Sequence, residues 1–198
     1  MRLLPQGLVV HQWVVEANKL KLSPISIEGM NMHLARPETV QAFNKMAEAA
    51  KREQNIGLKI LWAYRSGALQ QQHFQAAQRK HGDRQGIRWV APSGYSEHHT
   101  GWALDIGDEL NPKADDNPTF ENTAAYRWLY QNARRFYFEL SFPKNNWQGV
   151  GFEPWHWRFV GTTEAYNTFH PKPAVAVAVW GLSLLQALRC WIAPPPSR

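Results

Sequence analysis

Residues 101–106 read GWALDI, a short stretch in which large apolar side chains alternate with Ala103 and Asp105. Alternation with a period of two residues predicts a half-buried β-strand, because successive side chains of a strand point to opposite faces. The open face of this strand then carries the Asp105 carboxylate. Gly101 permits a turn immediately before the strand. We therefore expect a sheet that presents a carboxylate on one of its strands.

Residues 155–160, WHWRFV, form a second alternating stretch. Its aromatic side chains point to one face, and His156 and Arg158 point to the other. Pro154 interrupts the chain directly before this stretch, as is typical at the start of a strand. The pattern predicts a second strand, with His156 opposite the apolar face.

Helical spacing of apolar residues, together with a proline in the first turn, predicts an amphipathic helix over residues 37–54. Ser66 can cap a second helix, and Gly82 can end that helix in a left-handed conformation. The apolar run at residues 58–64 suits a buried strand between the two helices. Arg65 then lies at the corner between this strand and the second helix.

Two polar segments that contain glycine or proline, residues 82–97 and 110–118, are expected to be loops. Asp115 and Asp116 in the second loop are typical of a calcium site or of a solvated acidic turn, and the solvated turn is favoured. A further helix and strand are expected at residues 119–135 and 136–142. Helices and strands thus alternate irregularly, with short connections. This order predicts an α+β fold with a mostly antiparallel central sheet flanked by helices.

The composition is that of a globular protein, with 44% hydrophobic and 19% charged residues in a chain of 198. Cys190 is the only cysteine, so an intrachain disulfide and a metal site of several thiolates are both excluded. The net charge of +6 favours anionic partners in general. The basic residues form no motif of known docking geometry, so no specific nucleic-acid partner is expected.

We expect three regions: an N-terminal extension at residues 1–33, a domain at residues 34–170, and an apolar tail at residues 171–198. Polar residues interrupt the N-terminal apolar run, so the sequence does not support a secretory signal. Within the tail, residues 174–193 have the length of a membrane span but include an arginine. A membrane span, an amphipathic helix and a docking helix all remain possible for this segment. The chain is expected to be a monomer.

Side chains that can bind zinc are concentrated in two segments, residues 96–105 and 153–156. A catalytic zinc site takes three protein ligands and leaves a fourth position open, and it accepts imidazole and carboxylate groups. His98, Asp105 and His156 satisfy this requirement. His99 is the rival ligand.

Peptide hydrolysis also needs a group that accepts a proton from water and passes it to the leaving amine. Glu153 precedes His156 by three residues across a proline-containing turn, which places it near the metal but outside the ligand set. Glu97 is the rival base. Taken singly, each of these residues has an ordinary structural explanation, such as an ion pair between Asp105 and Arg158.

Three motifs resemble those of the VanY-type D-alanyl-D-alanine carboxypeptidases, zinc metallopeptidases that share a fold with the Hedgehog signalling domain. SEHHTGWALD has the pattern SxHxxGxAxD, EPWHWRFVG has the pattern ExWH, and the upstream AYRSGALQ resembles YRSxxxQ. The resemblance covers approximately residues 34–162. One departure is Tyr137, which lies at the end of the helical stretch where relatives usually have glycine.

The resemblance implies a role for each matching residue. It implies that His98, Asp105 and His156 bind Zn²⁺ and that Glu153 is the general base. Arg65 would bind the substrate and stabilise charge at the scissile carbonyl, while Gln70 and Ser96 would line the subsite for the terminal D-residue. An arginine at a strand-to-helix corner suits this role, because its planar guanidinium can bind a carboxylate or an oxyanion.

The expected function is removal of the C-terminal D-residue from peptidoglycan stem peptides, in the manner of a D-alanyl-D-alanine carboxypeptidase. An L,D-carboxypeptidase and an endolysin-type endopeptidase remain alternatives, as does a non-catalytic zinc-containing binding module. A groove closed by Arg65 would favour a carboxypeptidase, and an open groove an endopeptidase. The resemblance implies the cell envelope or periplasm, although the N-terminal sequence leaves the cytoplasm open.

Overall fold

A computed structural model describes residues 9–25 and 33–171. The chain divides into two compact units, Met1–Gly161 and Thr162–Arg198. The first unit contains every predicted site residue. In the second unit, α5 (Thr163–Phe169) is capped by the Thr162 hydroxyl, which accepts a hydrogen bond from the Ala165 amide. The tail segment at residues 174–193 lies outside the described residues.

An antiparallel sheet of four strands, in the order β3-β4-β6-β5, forms the centre of the first unit. A separate two-stranded ribbon, also antiparallel, pairs β1 with β2. The α+β prediction and the antiparallel sheet are therefore confirmed. The strands are β1 (Ser23–Ile25), β2 (His33–Ala35), β3 (Leu58–Trp62), β4 (Ala103–Asp108), β5 (Phe138–Leu140) and β6 (His156–Phe159).

Strand β4 runs through the middle of the sheet and fixes the position of Asp105. Asp105 pairs with His156 of β6 on one side and with Trp62 of β3 on the other. The register shifts between Ile60 and Trp62, so the end of β3 is irregular beside Asp105. The two strands predicted to carry chemical groups are thus neighbours, and their polar residues are directly adjacent.

The prediction that β4 is half-buried is wrong, because all six of its residues are buried. Apolar packing covers one face, where Leu104 and Ile106 are inaccessible to solvent. On the other face Arg65 and the imidazole of His98 cover Asp105. The alternation in the sequence assigned the apolar residues and Asp105 to opposite faces correctly. The face that carries Asp105 is covered by polar side chains and not by water.

The structure confirms the first two helices, α1 (Pro37–Gln54) and α2 (Gly67–His81). Phe43, Met46 and Ala50 form the buried face of α1. The Ser66 hydroxyl caps α2 by accepting a hydrogen bond from the Leu69 amide. Gly82 follows α2 with a φ of +74°, a conformation that glycine adopts without steric cost. Arg65 therefore lies at the predicted corner.

The expected loop at residues 82–97 is wrong in its first half, which forms α3 (Asp83–Trp89). Gly86 contributed to the prediction of a loop, but in the structure it allows close packing of two helices. A Cβ atom at this position would lie 3.0 Å from the Gln78 Cα atom of α2, so only glycine permits this close approach of the two helices. The glycine thus allows α3 to pack on α2.

The helix expected over residues 119–135 is interrupted. Its middle is α4 (Ala124–Asn132), which the Thr123 hydroxyl caps, and 3₁₀ turns occupy residues 118–122 and 133–136. The helical spacing predicts Tyr126, Leu129, Tyr130 and Ala133 on one side of this helix, and of these Leu129 and Ala133 are buried. Trp128 is buried, whereas Tyr130 is 68% exposed. Tyr137 ends the segment in the left-handed conformation, with a φ of +62°.

The acidic loop after β4 is exposed at Asp116, as expected of a solvated turn, whereas Asp115 is half-buried. Asp115 forms an ion pair with Lys59, with 2.5 Å between its carboxylate and Nζ. Its Oδ1 also accepts a hydrogen bond from the Asp108 amide. The loop is therefore anchored to the sheet, and Asp116 is held next to the anchor.

Residues 9–25 belong to the same compact unit as the sheet. The Val14 amide donates to the Gly94 carbonyl, and the Ala17 amide donates to the His99 carbonyl, so this segment lies against the chain near the predicted ligands. The expected boundaries at 33/34 and 170/171 stay predictions. Within the described ranges, no helix has the length and apolar character needed to cross a membrane.

Candidate metal centre and cleft

The side chains of His98, Asp105 and His156 converge at one buried point, where their possible ligand atoms all lie within 4.8 Å of one another. His98 Nε2 lies 3.1 Å from Asp105 Oδ2, and His156 Nδ1 lies 3.0 Å from Asp105 Oδ1. The pairing of β4 with β6 places Asp105 beside His156, and a 3₁₀ turn at Glu97–Thr100 brings in His98. The fold thus brings all three predicted ligands together.

A backbone hydrogen bond orients the His98 ring. Its Nδ1 lies 2.8 Å from the Ala63 carbonyl oxygen, and a carbonyl only accepts, so Nδ1 carries the proton. The Nε2 lone pair of the neutral ring then points towards Asp105. Burial lowers the pKa of His98 to about 4, with Arg65 acting in the same direction against the attraction of Asp105. Above that pH, His98 is therefore a neutral ring with a free lone pair, as a metal ligand requires.

A carboxylate orients the His156 ring by contacting the nitrogen that does not face Asp105. Glu97 Oε2 lies 3.0 Å from His156 Nε2, which leaves Nδ1 facing Asp105. Glu97 also accepts hydrogen bonds from the Arg158 guanidinium and the Ser141 hydroxyl. Carboxylates behind metal-binding histidines fix the tautomer and increase the basicity of the ring. Glu97 therefore supports a ligand and does not act as the base, and Arg158 pairs with Glu97 and not with Asp105.

The charges at this point are suited to a dication. Burial alone would lower the pKa of His156, but the carboxylates of Asp105 and Glu97 outweigh that effect and raise it to about 10. Asp105 Oδ1 is buried without a hydrogen-bond partner, so its approach to His156 lacks the alignment of a hydrogen bond. Once the His156 ring loses its extra proton, its Nδ1 and the Asp105 Oδ1 atom face the same space as His98 with the donor chemistry of a zinc site.

His99 cannot serve as the rival ligand in this conformation, because both of its ring nitrogens are engaged elsewhere. Its Nδ1 lies 2.7 Å from the Arg65 carbonyl oxygen, and its Nε2 accepts a hydrogen bond from the Gly94 amide. The ring is completely buried. His99 thus ties the corner at Arg65 to the loop before the ligand turn.

Glu153 lies beside the ligand set without belonging to it. Its Oε2 is 3.8 Å from His156 Nδ1, and the residue is 7% exposed. Burial raises the pKa of Glu153 to about 8, and the nearby carboxylates of Asp105 and Glu97 add to the effect while His156 and Arg65 oppose it. A carboxyl group with a pKa near neutrality can both accept and return a proton, which is what a general base in hydrolysis must do.

Arg65 lies on the other side of Asp105, with 3.7 Å between Nη2 and Asp105 Oδ2. Gln70 holds the guanidinium by accepting a hydrogen bond from Nη1, and the Trp62 ring lies 5.0 Å away. The Gln70 amide in turn donates to the Ala91 carbonyl. Arg65 Nε is buried and has no hydrogen-bond partner. The guanidinium is therefore fixed in place while one of its donors remains unused.

The three predicted ligands all line a cleft of about 500 Å³. Ser96, which is 5% exposed, lines it together with Arg65, Gln70 and Glu153. The structure therefore brings every predicted substrate-binding residue to the same cavity as the metal ligands. The assignment of individual roles to Glu153, Arg65, Gln70 and Ser96 stays a prediction.

The cleft also contains residues that were not predicted. His11 reaches it from the N-terminal segment, and Asp116 from the loop after β4. The supporting role of Glu97 was also missed, since its partner His156 is 59 residues away in sequence. The only available signal was chemical, because a histidine ligand needs an acceptor behind its second nitrogen.

Comparison with known proteins gives a match to the family model described as VanY: D-alanyl-D-alanine carboxypeptidase, over residues 32–162. The chain is 34% identical over 140 residues to the Bacillus subtilis protein YodJ, covering 70% of this chain and 50% of YodJ. It thus spans only about half the length of that relative.

Two solved structures have the same fold. The LD-carboxypeptidase LdcB superposes with a TM-score of 0.66 at 31% identity, covering 79% of this chain and 74% of that chain. VanYB, determined in complex with D-alanine-D-alanine, superposes with a TM-score of 0.57 at 25% identity, covering 85% of this chain and 88% of that chain. The family match covers more than half of the chain and includes every residue of the proposed metal site. The chain belongs to the VanY family of D-alanyl-D-alanine carboxypeptidases.

Proposed function

We propose that this chain is a zinc-dependent carboxypeptidase that removes the C-terminal D-alanine from peptidoglycan stem peptides. The observation that carries the proposal is the convergence of His98, Asp105 and His156 at one buried point, with Glu153 on one side and Arg65 on the other. A metal site alone would explain the first three residues. The buried base and the fixed guanidinium add the groups that hydrolysis of a peptide with a free carboxylate needs.

Zinc, when bound by these three residues, would supply Lewis acidity to activate water and polarise the scissile carbonyl. Glu153 accepts the proton of the attacking water and returns it to the leaving amine. Arg65 binds a negatively charged oxygen of the substrate through its guanidinium, which Gln70 keeps in place. Glu97 maintains the orientation of His156 throughout.

The surroundings of Arg65 support a carboxypeptidase over an endopeptidase. Arg65 is 8% exposed, with Gln70 and the Trp62 ring packed against it. A guanidinium in this position can end the cleft with a charge that matches a terminal carboxylate. An endopeptidase has to pass a continuing chain through the same place, which a buried cation opposes.

An L,D-carboxypeptidase activity is the second candidate, because the solved structure of LdcB has 31% identity to this chain and is described as an LD-carboxypeptidase. Both activities release a terminal D-residue and differ only in the configuration of the residue before the scissile bond. The same Arg65, Glu153 and metal ligands serve either one. The non-catalytic zinc module is less favoured, because such a module has no need for a buried glutamate with a raised pKa.

The test compares three peptides with the purified chain. One ends in D-Ala-D-Ala, one ends in L-Lys-D-Ala, and the third is the first peptide with its terminal carboxylate amidated. We expect release of D-alanine from the first and a rate lower by about 100-fold for the amide, since a charged contact is lost. Faster cleavage of the second peptide would make the enzyme an L,D-carboxypeptidase. Equal cleavage of the amide would favour an endopeptidase.

We further propose that the chain acts as a monomer in the cell envelope or periplasm, where stem peptides are found. All groups of the cleft come from one chain, so catalysis needs no second subunit. Light scattering of the purified full chain at assay concentrations measures this directly, and a dimer as the active species would contradict it. Membrane contact through the tail stays a proposal, which is tested by co-sedimentation with vesicles.

A further inference from the structure

Asp116 lines the same cleft as Arg65 and the metal ligands, but neither zinc binding nor the proposed hydrolysis uses it. It comes from the loop between β4 and α4. The residue as a whole is exposed at the mouth of the cleft. Within the described ranges, no hydrogen bond or ion pair is recorded for its carboxylate, which distinguishes it from Asp115.

Asp116 lies between two anchored neighbours, in a backbone conformation that few residue types other than glycine, asparagine and aspartate adopt. Its φ is +49°, in the left-handed region. On one side Asp115 is bound to Lys59 and to the Asp108 amide. On the other side the Asn117 side chain caps the next turn through the Thr119 amide and hydroxyl. The anchored neighbours therefore fix the backbone that carries the Asp116 carboxylate at the cleft.

Among the charged groups that act on the Asp116 carboxyl, the negative ones outnumber the positive one. Partial burial of its carboxyl group, together with the negative charges of Asp105 and Asp115, raises its pKa to about 6. Arg65 opposes them but is nearer to Asp105, with which it pairs. A cation that enters the cleft can therefore gain a favourable interaction with Asp116, whose carboxylate is not ion-paired with Arg65.

The cleft thus offers two charges of opposite sign to a ligand, the guanidinium of Arg65 and the carboxylate of Asp116. We propose that Asp116 is a specificity-determining residue that binds a positively charged amino group of the substrate. This inference rests on the proposed function for its substrate class, a peptide with a free terminal carboxylate. The amino group can come from a basic side chain, as in lysine, or from the amino terminus of a short peptide.

Three peptides that end in D-Ala-D-Ala distinguish these sources. The first is acetylated and carries lysine before the two alanines, the second is acetylated and carries norleucine there, and the third carries norleucine with a free amino terminus. Norleucine has the four side-chain carbons of lysine but lacks the charged amino group. We expect wild-type kcat/KM to favour the lysine peptide, the free-amine peptide or both over the acetylated norleucine peptide by about tenfold, mainly through KM.

The decisive variant is Asp116→Asn, which keeps the shape of the side chain and removes its charge. We expect the preference for the charged peptide to fall to about one, with zinc content unchanged. Glu48→Gln is the matched control, because Glu48 is an exposed carboxylate on α1 that does not line the cleft. This control should keep the wild-type preference. A wild type without a preference, or an Asp116→Asn variant that keeps it, would overturn the inference.

Binding of the same peptides to a Glu153→Gln variant separates this inference from the proposed function. Calorimetric titration measures affinity without hydrolysis, and the charged peptide should bind about tenfold more tightly than the neutral one. If no peptide is hydrolysed by the wild type but this preference in binding is found, the proposed function fails and the assignment of Asp116 stands. If the affinities are equal, the assignment of Asp116 is wrong, whatever the rate of hydrolysis.

Discussion

Glu97 is the residue that connects the two halves of the metal site. It lies next to His98 in the sequence, yet its carboxylate contacts the ring of His156 and the guanidinium of Arg158. Burial raises its pKa, but Arg158, His156 and Ser141 outweigh this effect and lower it to about 2. Glu97 is therefore a fixed negative charge at any pH where the enzyme can work.

We predict that Glu97→Gln weakens zinc binding by about 10- to 100-fold, because the amide no longer supplies charge to the ring behind the metal. Competition with a chromophoric chelator measures the dissociation constant. Glu139→Gln is the control, since Glu139 accepts a hydrogen bond from the same Arg158 side chain as Glu97. An unchanged affinity in Glu97→Gln would show that the carboxylate does not support the ligand.

The backbone conformation at Tyr137 is unfavourable for a residue with a large side chain. Its φ of +62° is sterically unfavourable for any residue with a Cβ atom. The residue is 62% exposed, and its ring has only an edge contact with Phe159. The absence of glycine at this position in the sequence therefore implies stored strain at the end of the helical segment.

We expect Tyr137→Gly to raise the free energy of unfolding by about 1 kcal/mol, by relieving this strain. Chemical denaturation of the zinc-loaded protein measures the change. Asn55→Gly serves as the comparison, because Asn55 has a similar φ of +54° but asparagine tolerates this region well. Its effect should be smaller. A lower free energy of unfolding for Tyr137→Gly would mean that the ring contact outweighs the strain.

At the scale of elements, the start of α2 contributes both to the stability of the fold and to the position of Arg65. The Ser66 cap is adjacent to Arg65, and the first turn of the helix carries Gln70, which holds the guanidinium. The end of β3 and the start of α2 thus fix the position of one cation. The Thr123 cap of α4 forms the same kind of hydrogen bond, to the Tyr126 amide, but Thr123 is absent from the cleft lining.

We predict that Ser66→Ala and Thr123→Ala each cost about 1 kcal/mol of stability, since each removes a cap hydrogen bond. Only Ser66→Ala should also raise KM, because it loosens the helix that positions Arg65. Thermal unfolding and steady-state kinetics on the two variants provide the comparison. Equal kinetic effects in both would indicate that the cap has no special connection to the site.

The elements also show what could be read from the sequence. Helix α1 and the strand pattern around Asp105 and His156 were predictable, since each follows from local periodicity and a capping or breaking residue. Helix α3 was not, because Gly86 is a contact with α2 that only the folded chain reveals. The burial of both faces of β4 depends in the same way on Arg65, which is 40 residues distant in sequence.

The same difference between local patterns and contacts of distant residues applies to the candidate site. Motif spacing and the ligand count for zinc predicted His98, Asp105 and His156, which the fold brings together, and Glu153, which lies beside them. Residue type alone left His99 as a rival of His98, and the structure shows the difference in where their ring nitrogens point. Contacts over long sequence separations assign those roles, and a single sequence carries no record of them.

For the whole molecule, zinc binding is coupled to protons. In the metal-free protein the pKa of His156 is about 10, so this ring is protonated at pH 7. The pKa of His98 is about 4, so that ring is already neutral. Zinc needs both rings neutral, and its binding must therefore release the His156 proton.

We predict release of at least one proton per zinc at pH 7, and an affinity that falls about tenfold for each unit by which the pH is lowered from 8 to 6. Calorimetric titration in two buffers of different ionisation enthalpy measures the number of protons. A binding enthalpy that does not depend on the buffer would contradict the charge state assigned to His156.

The most direct test of the central claim measures zinc content and D-alanine release for the wild type and for Glu153→Gln side by side. The substitution leaves His98, Asp105 and His156 unchanged and removes only the proton acceptor. We predict one zinc per chain in both proteins and a turnover lower by about 10²- to 10⁴-fold in the variant. A wild type without stoichiometric zinc, or a variant that hydrolyses at the wild-type rate, would contradict the account.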